Sequence, residues 1–196
     1  MNKLLPKNLI ALMLFASLFS TNIQSQTIQE MDSLKNVLTT ADDTTYINTL
    51  LRIYRCFTQY RLNDSIDTYL NEALERARKG GYKHQEYAAL DMYAILLASR
   101  KEYAKSIENH HKVLKAWEEM DNKRGLSITF NNLGRTYHNI QAYEKAQEYF
   151  LESLKIAEQL EDVEGVNYSY QNIAMILALL ERHTEAIEYR RKVVSY

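Results

Sequence analysis

Tyr103-Ala-Lys-Ser106, Tyr143-Glu-Lys-Ala146 and His183-Thr-Glu-Ala186 are one motif written three times, each copy forty residues after the last. The residues behind them agree as well: Ile107-Glu108, Gln147-Glu148 and Ile187-Glu188. Ahead of them, Leu90, Tyr93, Ala94 and Leu97 align with Phe130, Leu133, Gly134 and Tyr137, and again with Tyr170, Ile173, Ala174 and Leu177. A weaker first copy reads Leu50, Ile53, Tyr54 and Phe57, followed by Asn63-Asp-Ser-Ile66. Apolar spacings of three, one and three are helical and not alternating. Self-similarity at a fixed period of this length is the mark of stacked repeats, in which each unit completes its core only against its neighbours.

Each unit therefore reads as two helices, for example Arg124 to Ile140 and Tyr143 to Leu160. The turn Asn139-Ile-Gln-Ala142 is short enough to make such a pair antiparallel. Segments such as Asp121-Asn-Lys-Arg-Gly125 and Glu161-Asp-Val-Glu-Gly165 join one unit to the next, and Gly80, Gly81, Gly125 and Gly165 are expected where helices stop. The only proline, Pro6, lies near the N-terminus, so nothing later in the chain removes a backbone donor or fixes φ. No Asn-Gly or Asp-Gly hairpin signal is present. The expected class is all-α.

Phe130, Leu133, Gly134, Tyr137, Tyr143, Ala146 and Phe150 carry the order and spacing by which the sequence resembles the tetratricopeptide repeat family. The resemblance runs from about Asp42 to Tyr196. It departs from the family where Arg190 replaces Phe150 and Ser106 replaces Ala146, in lacking the proline after the second helix, and in exceeding the usual 34 residues. It implies a solenoid of antiparallel helix pairs wound as a right-handed superhelix, with units of about 42–82, 83–123, 124–163 and 164–196, the last incomplete. A lead-in helix at 26–41 precedes them. A small residue at Ala94, Gly134 and Ala174 is expected where the paired helices approach closely.

The first 25 residues read as an address. Lys3 and Lys7 precede an almost wholly apolar run from Leu9 to Phe19, and a small polar stretch reaches Ser25. That is the order of a secretory signal peptide, and the run is short of the ~20 residues of a membrane span. Either the segment is cleaved after Ser25 or it stays as an uncleaved anchor. Both put the mature chain in an exported, periplasmic setting, with a membrane involved only through export or that anchor. Loss of the two lysines would take the formal charge from −1 to −3. Acids and bases are mixed along every helix, so there is no clustered charge for nucleic acid. Cys56 is the only cysteine, which excludes an intrachain disulfide, and its apolar setting reads as a small buried side chain.

No catalytic constellation, metal set or cofactor motif is found, and no enzyme is expected. The histidines at 84, 110, 111, 138 and 183 lack a metal-binding spacing and read as surface residues. Asp42-Asp43 before Thr44-Thr45 reads as a helix N-cap and not as a carboxylate dyad. By the family resemblance the first helix of each pair lines a concave groove that takes a protein or an extended peptide. The expected contact residues there are Asn132, Asn172, Asn131, Arg135, His138, Tyr168, Gln171, Asp91 and Arg55. Asn132 and Asn172 share one repeat position, and an asparagine can both donate to and accept from a peptide backbone. The array with its lead-in also resembles the exported N-terminal region of bacterial signalling proteins. Two readings stand: the interaction region of a signalling system, or a stand-alone envelope assembly or chaperone-like factor. The face begun by Val193, Val194 and Tyr196 is expected to need a cover, from further chain of a longer protein, from a partner or from self-association with a second copy.

Overall fold

The apolar spacings are realised as helices throughout the computed structural model, which describes residues 41–59 and 66–195 together with positions 29, 33, 34 and 36–39. Positions 29, 33, 34 and 36–38 are helical, and after them the described residues form, in order, α1 Asp43–Gln59, α2 Ile66–Gly80, α3 Lys83–Ser99, α4 Tyr103–Glu119, α5 Lys123–Asn139, α6 Tyr143–Gln159, α7 Val163–Leu179 and α8 His183–Ser195. No strand occurs among the described residues. The address at residues 1–25, the turn at 60–65, and the side chains of Cys56, Phe57, Val194 and Tyr196 lie outside what is described. No described helix is long and apolar enough to cross a membrane.

From α3 onward the helices begin at 83, 103, 123, 143, 163 and 183, a spacing of twenty. One turn type produces this spacing. After α3, Glu102 N–H bonds to the Leu97 carbonyl and Lys101 N–H to the Ala98 carbonyl, with Lys101 at φ 65°. That is a Schellman close, which satisfies the last carbonyls of a helix by turning one residue left-handed. The same pair of bonds recurs around Gly81, Asp121, Gln141, Glu161 and Glu181, all at positive φ. A residue other than glycine there costs about 1–2 kcal/mol, so five of the six turns carry strain that the packing offsets.

What restores the forty-residue period is the start of the helices. Asp42 accepts from Thr45 N–H at 2.7 Å, Asn122 from Gly125 N–H at 2.9 Å and Asp162 from Gly165 N–H at 3.1 Å. These cap α1, α5 and α7, three of the four first helices of the pairs. Glu102 and Ala142, ahead of α4 and α6, make no such bond. Asp42 is thus the N-cap expected from the sequence, and its bonds to Thr45 N–H and the Thr44 hydroxyl hold its carboxyl below the usual range. Gly125 and Gly165, expected at stops, instead sit in the first turn of the following helix. Their amides are the donors that the caps need.

The chain divides into two compact units, up to Gln85 and from Glu86 onward. In the first, α1 and α2 bury Ile47, Leu50, Leu51, Ile53 and Tyr54 with Leu70, Ala73, Leu74 and Ala77. At its edge the Tyr46 hydroxyl donates to Glu72 at 2.9 Å, and Arg76 lies 3.9 Å from the centre of the Tyr46 ring. Burial, and then the bond to Glu72, push the Tyr46 hydroxyl pKa up.

In the second unit the core runs through Leu114, Leu133, Phe150, Leu154, Val166, Ile173, Ile176 and Leu177. From α4 on, each helix packs on the next in sequence, and α5 also touches α7. Ala94, Gly134 and Ala174 are buried as expected from their repeat position. At Gly134 an added Cβ would stand 2.7 and 2.8 Å from two carbons of the Phe150 ring on α6.

Candidate functional site

Because α3, α5 and α7 are the first helices of successive pairs, side chains one residue out of the forty-residue register meet across them. Asn132 Nδ2 donates to Asp91 Oδ2 at 2.8 Å, linking α5 to α3. Asn172 Nδ2 donates to Asn131 Oδ1 at 3.4 Å, linking α7 to α5. Between α5 and α7 this leaves an open trough of about 520 Å³, lined by Ser127, Ile128, Asn131, Asn132, Arg135, Asp162, Gly165, Tyr168, Gln171 and Asn172. A smaller hollow of about 110 Å³ lies between α3 and α5, lined by Ile95, Ala98, Ser99, Asn132, Arg135, Thr136 and Asn139. Asn132 and Arg135 border both.

Six of the residues expected from the sequence therefore come together: Asn131, Asn132, Arg135, Tyr168, Gln171 and Asn172. His138 lies half-buried near the C-terminal end of α5, its ring 6.1 Å from that of Tyr143, and lines neither hollow. Arg55 is an exposed residue of α1 in the first unit. Asp91 needs a correction. It is only 6% exposed, and both carboxylate oxygens are engaged, Oδ2 by Asn132 and Oδ1 by His110 Nδ1 at 2.7 Å. A buried carboxylate is stable only when partnered, so Asp91 acts inside the fold and not on the open face.

His110, expected at the surface, is corrected with it: the side chain is fully buried on α4. A carboxylate can only accept, which places a proton on Nδ1. Nε2 is buried and has no hydrogen-bond partner. An imidazole sealed in this way cannot reach a substrate, so the Asp91–His110 pair is structural. Its neighbour His111 is exposed, as two consecutive helical positions pointing about 100° apart require. Among the described residues no group of three or more histidine, cysteine or acidic side chains could hold a metal ion.

The chemistry of the trough is amide with two apolar lips. Asn131, Asn132, Gln171 and Asn172 offer both donors and acceptors, the complement that an extended backbone presents. Ile128 and Tyr168 stand at its edge 52% and 57% exposed. The sequence reading missed Ile128. Its position forty residues before Tyr168 is the signal that marks it. Asp162 is occupied by the Gly165 amide, with Arg124 at 3.8 Å. Arg135 has no ion-pair or hydrogen-bond partner among the described residues, so the trough carries one unneutralised cation.

Two family models, both described as tetratricopeptide repeat, match residues 86–159 and 168–196, together more than half of the chain. No curated protein matches by sequence. Among solved structures, a Rap protein complexed with competence and sporulation factor has a TM-score of 0.79 at 14% identity, covering 90% of this chain and 51% of that one. NprR in complex with its cognate peptide NprX has a TM-score of 0.73 at 20% identity, covering 88% and 51%. The nearly identical TPR-like repeats of a putative kinesin light chain from Podosopora anserina reach 0.60 at 13% identity, covering 98% and 96%. These likenesses are of fold, and the chain spans about half the length of the Rap and NprR chains. With the forty-residue register, the paired helices and both family models in agreement, this chain belongs to the tetratricopeptide repeat family.

Proposed function

We propose that the chain is an exported binding module whose trough between α5 and α7 takes an extended peptide segment of a partner protein. The observation that carries this reading is the set of four amide side chains, Asn131, Asn132, Gln171 and Asn172, lining one open trough on two neighbouring first helices. An amide pair satisfies backbone donors and acceptors whatever the peptide's sequence. The apolar lips, Ile128 and Tyr168, would cover side chains and exclude water. Two structures with this fold, the Rap and NprR complexes, hold competence and sporulation factor and the peptide NprX. Export rests on the order of Lys3, Lys7, the run Leu9 to Phe19 and the polar stretch to Ser25. In that setting the module would serve as the interaction region of a signalling system, without catalysis of its own.

A random decapeptide library displayed on phage and selected on the purified chain from residue 26 tests the binding. Selected peptides should lose about 1 kcal/mol per removed hydrogen bond on Asn131→Ala, Gln171→Ala and Asn172→Ala. Affinity unchanged by all three substitutions would exclude the trough. Export is tested by fusing residues 1–60 to a reporter enzyme active only outside the cytoplasm, and an inactive fusion would refute it.

A further inference from the structure

The two asparagine rungs of the trough are held differently, and the difference sets what each can recognise. An asparagine amide ordinarily fits either way round, because exchanging its nitrogen and oxygen changes little but the hydrogen bonds. At Asn172 the partner is another amide, Asn131, at a long 3.4 Å. Two facing amides satisfy each other in either orientation, so that rung is free to turn. At Asn132 the partner is the Asp91 carboxylate at 2.8 Å. A carboxylate has no proton to give. Only Nδ2 can face it.

Asp91 is itself fixed. His110 Nδ1 occupies its other oxygen at 2.7 Å, and neither side chain has room to move, both being buried. The lock thus runs from α4 through α3 to the trough-lining side chain on α5. With one Nδ2 proton committed the amide cannot turn over, and Asn132 Oδ1 is its free acceptor. It accepts no hydrogen bond among the described residues, and it is not one of the buried atoms without a partner. It therefore stays open to solvent on a residue that borders both hollows.

We infer that Asp91, steadied by His110, is a positioning residue that locks Asn132 with its carbonyl oxygen outward, so that this rung presents a fixed acceptor to a peptide N–H. Asn172 takes either group. The inference rests on the trough being a peptide site for its consequence, but the lock itself is a property of the free protein. At the equivalent repeat positions Asp91 is replaced by Asn131 and Gln171, and His110 by Phe150 and Arg190. The lock therefore belongs to one rung of the array. It gives the groove a fixed acceptor beside an adaptable amide, which favours one direction and register of a bound strand.

Two measurements separate the lock from the peptide reading. In the unliganded chain, side-chain amide NMR should show the Asp91-bonded Nδ2 proton of Asn132 protected from water exchange, with the Nδ2 protons of Asn172 exchanging faster by about an order of magnitude. Equal exchange at the two rungs overturns the lock. The second measurement uses a selected decapeptide and its amide-to-ester analogues, each missing a single N–H. One ester position should weaken binding about fivefold, and that sensitivity should vanish in Asn132→Ala and shrink in Asp91→Asn while total helicity is kept. Sensitivity retained in Asp91→Asn overturns the positioning role. If no library peptide binds, the proposed function fails, and the exchange comparison still decides the lock.

Discussion

Gly134→Ala is the sharpest test of how the helix pairs are packed, because two effects of known size oppose each other there. Alanine in a helix interior is better than glycine by about 1 kcal/mol, and Gly134 lies in the middle of α5 at ordinary helical φ. On propensity alone the variant should be more stable. Against this, the new Cβ would stand 2.7 and 2.8 Å from two Phe150 ring carbons and 3.1 Å from a third. Carbon atoms prefer about 3.5–4.0 Å, so the ring must withdraw by about 1 Å. Phe150 is fully buried, and close-packed interiors leave no such space. Overpacking of this kind costs about 1–3 kcal/mol. The net expectation is a loss of about 1 kcal/mol, or roughly 2–4 °C in Tm for a chain of this size.

The register of the repeats supports the same arithmetic. Where position 150 holds phenylalanine the facing small residue is Gly134. Where the equivalent residue is His110 or Arg190, it is Ala94 or Ala174. Phe150→Leu should therefore rescue the clash. Alone it costs about 1–2 kcal/mol for the lost ring volume, but combined with Gly134→Ala the total should fall short of the sum by about 1 kcal/mol. Thermal unfolding followed by circular dichroism on the four proteins of this cycle reads the coupling directly. A raised Tm for Gly134→Ala, or strict additivity, would refute the reasoning.

Three further outcomes are expected. Asn132→Ala should cost about 1–3 kcal/mol, because it strands a buried Asp91 oxygen, whereas Asn172→Ala should stay within about 0.5 kcal/mol of the parent; equal melting temperatures would show that Asp91 finds another donor. Gly81→Ala should lose about 1 kcal/mol from backbone strain alone, since φ is 70° and nothing lies within 4 Å of the added Cβ, and a neutral result in denaturant titration would show that the turn relaxes. Asp42 has a carboxyl pKa lowered below 3.8 in the folded state by the Thr45 amide and the Thr44 hydroxyl. Its stabilisation is therefore present above that value and lost as pH falls below it; melts compared across about pH 3–6 should show Asp42→Asn losing less stability on acidification than the parent, and parallel curves would discard the cap's pH dependence.

The helices and their pairing were legible because burial repeats every forty residues and so does the residue type that burial demands. Leu133 and Ile173, or Ala146 and Ala186, announce their register by chemistry. The turns were not legible as a set. Lys101, Asp121, Gln141, Glu161 and Glu181 share a left-handed φ, but their polarity marks them no more than any exposed position, because a Schellman close is made by backbone groups alone. Only Gly81 declares the conformation in its residue type. The twenty-residue spacing therefore became visible only with the backbone, and with it the reason that Gly125 and Gly165 begin helices.

The candidate site shows the same division from the other side. Asp91, Asn131 and Gln171 occupy one repeat position, and sequence assigns all three to the open groove. Their fates differ: Asp91 is buried, Asn131 half-buried and Gln171 exposed. What separates them is a residue on another helix. His110 stands nineteen positions beyond Asp91 and supplies the proton that makes a buried carboxylate tolerable. Phe150 and Arg190 at the equivalent positions are not histidine, and neither Asn131 nor Gln171 is a carboxylate that would need such a partner. Burial of a polar residue depends on mutual satisfaction between elements, and a one-helix periodicity cannot register it. Since Asp91 also holds Asn132, the substitution that takes one residue out of the groove is what orients the next one within it.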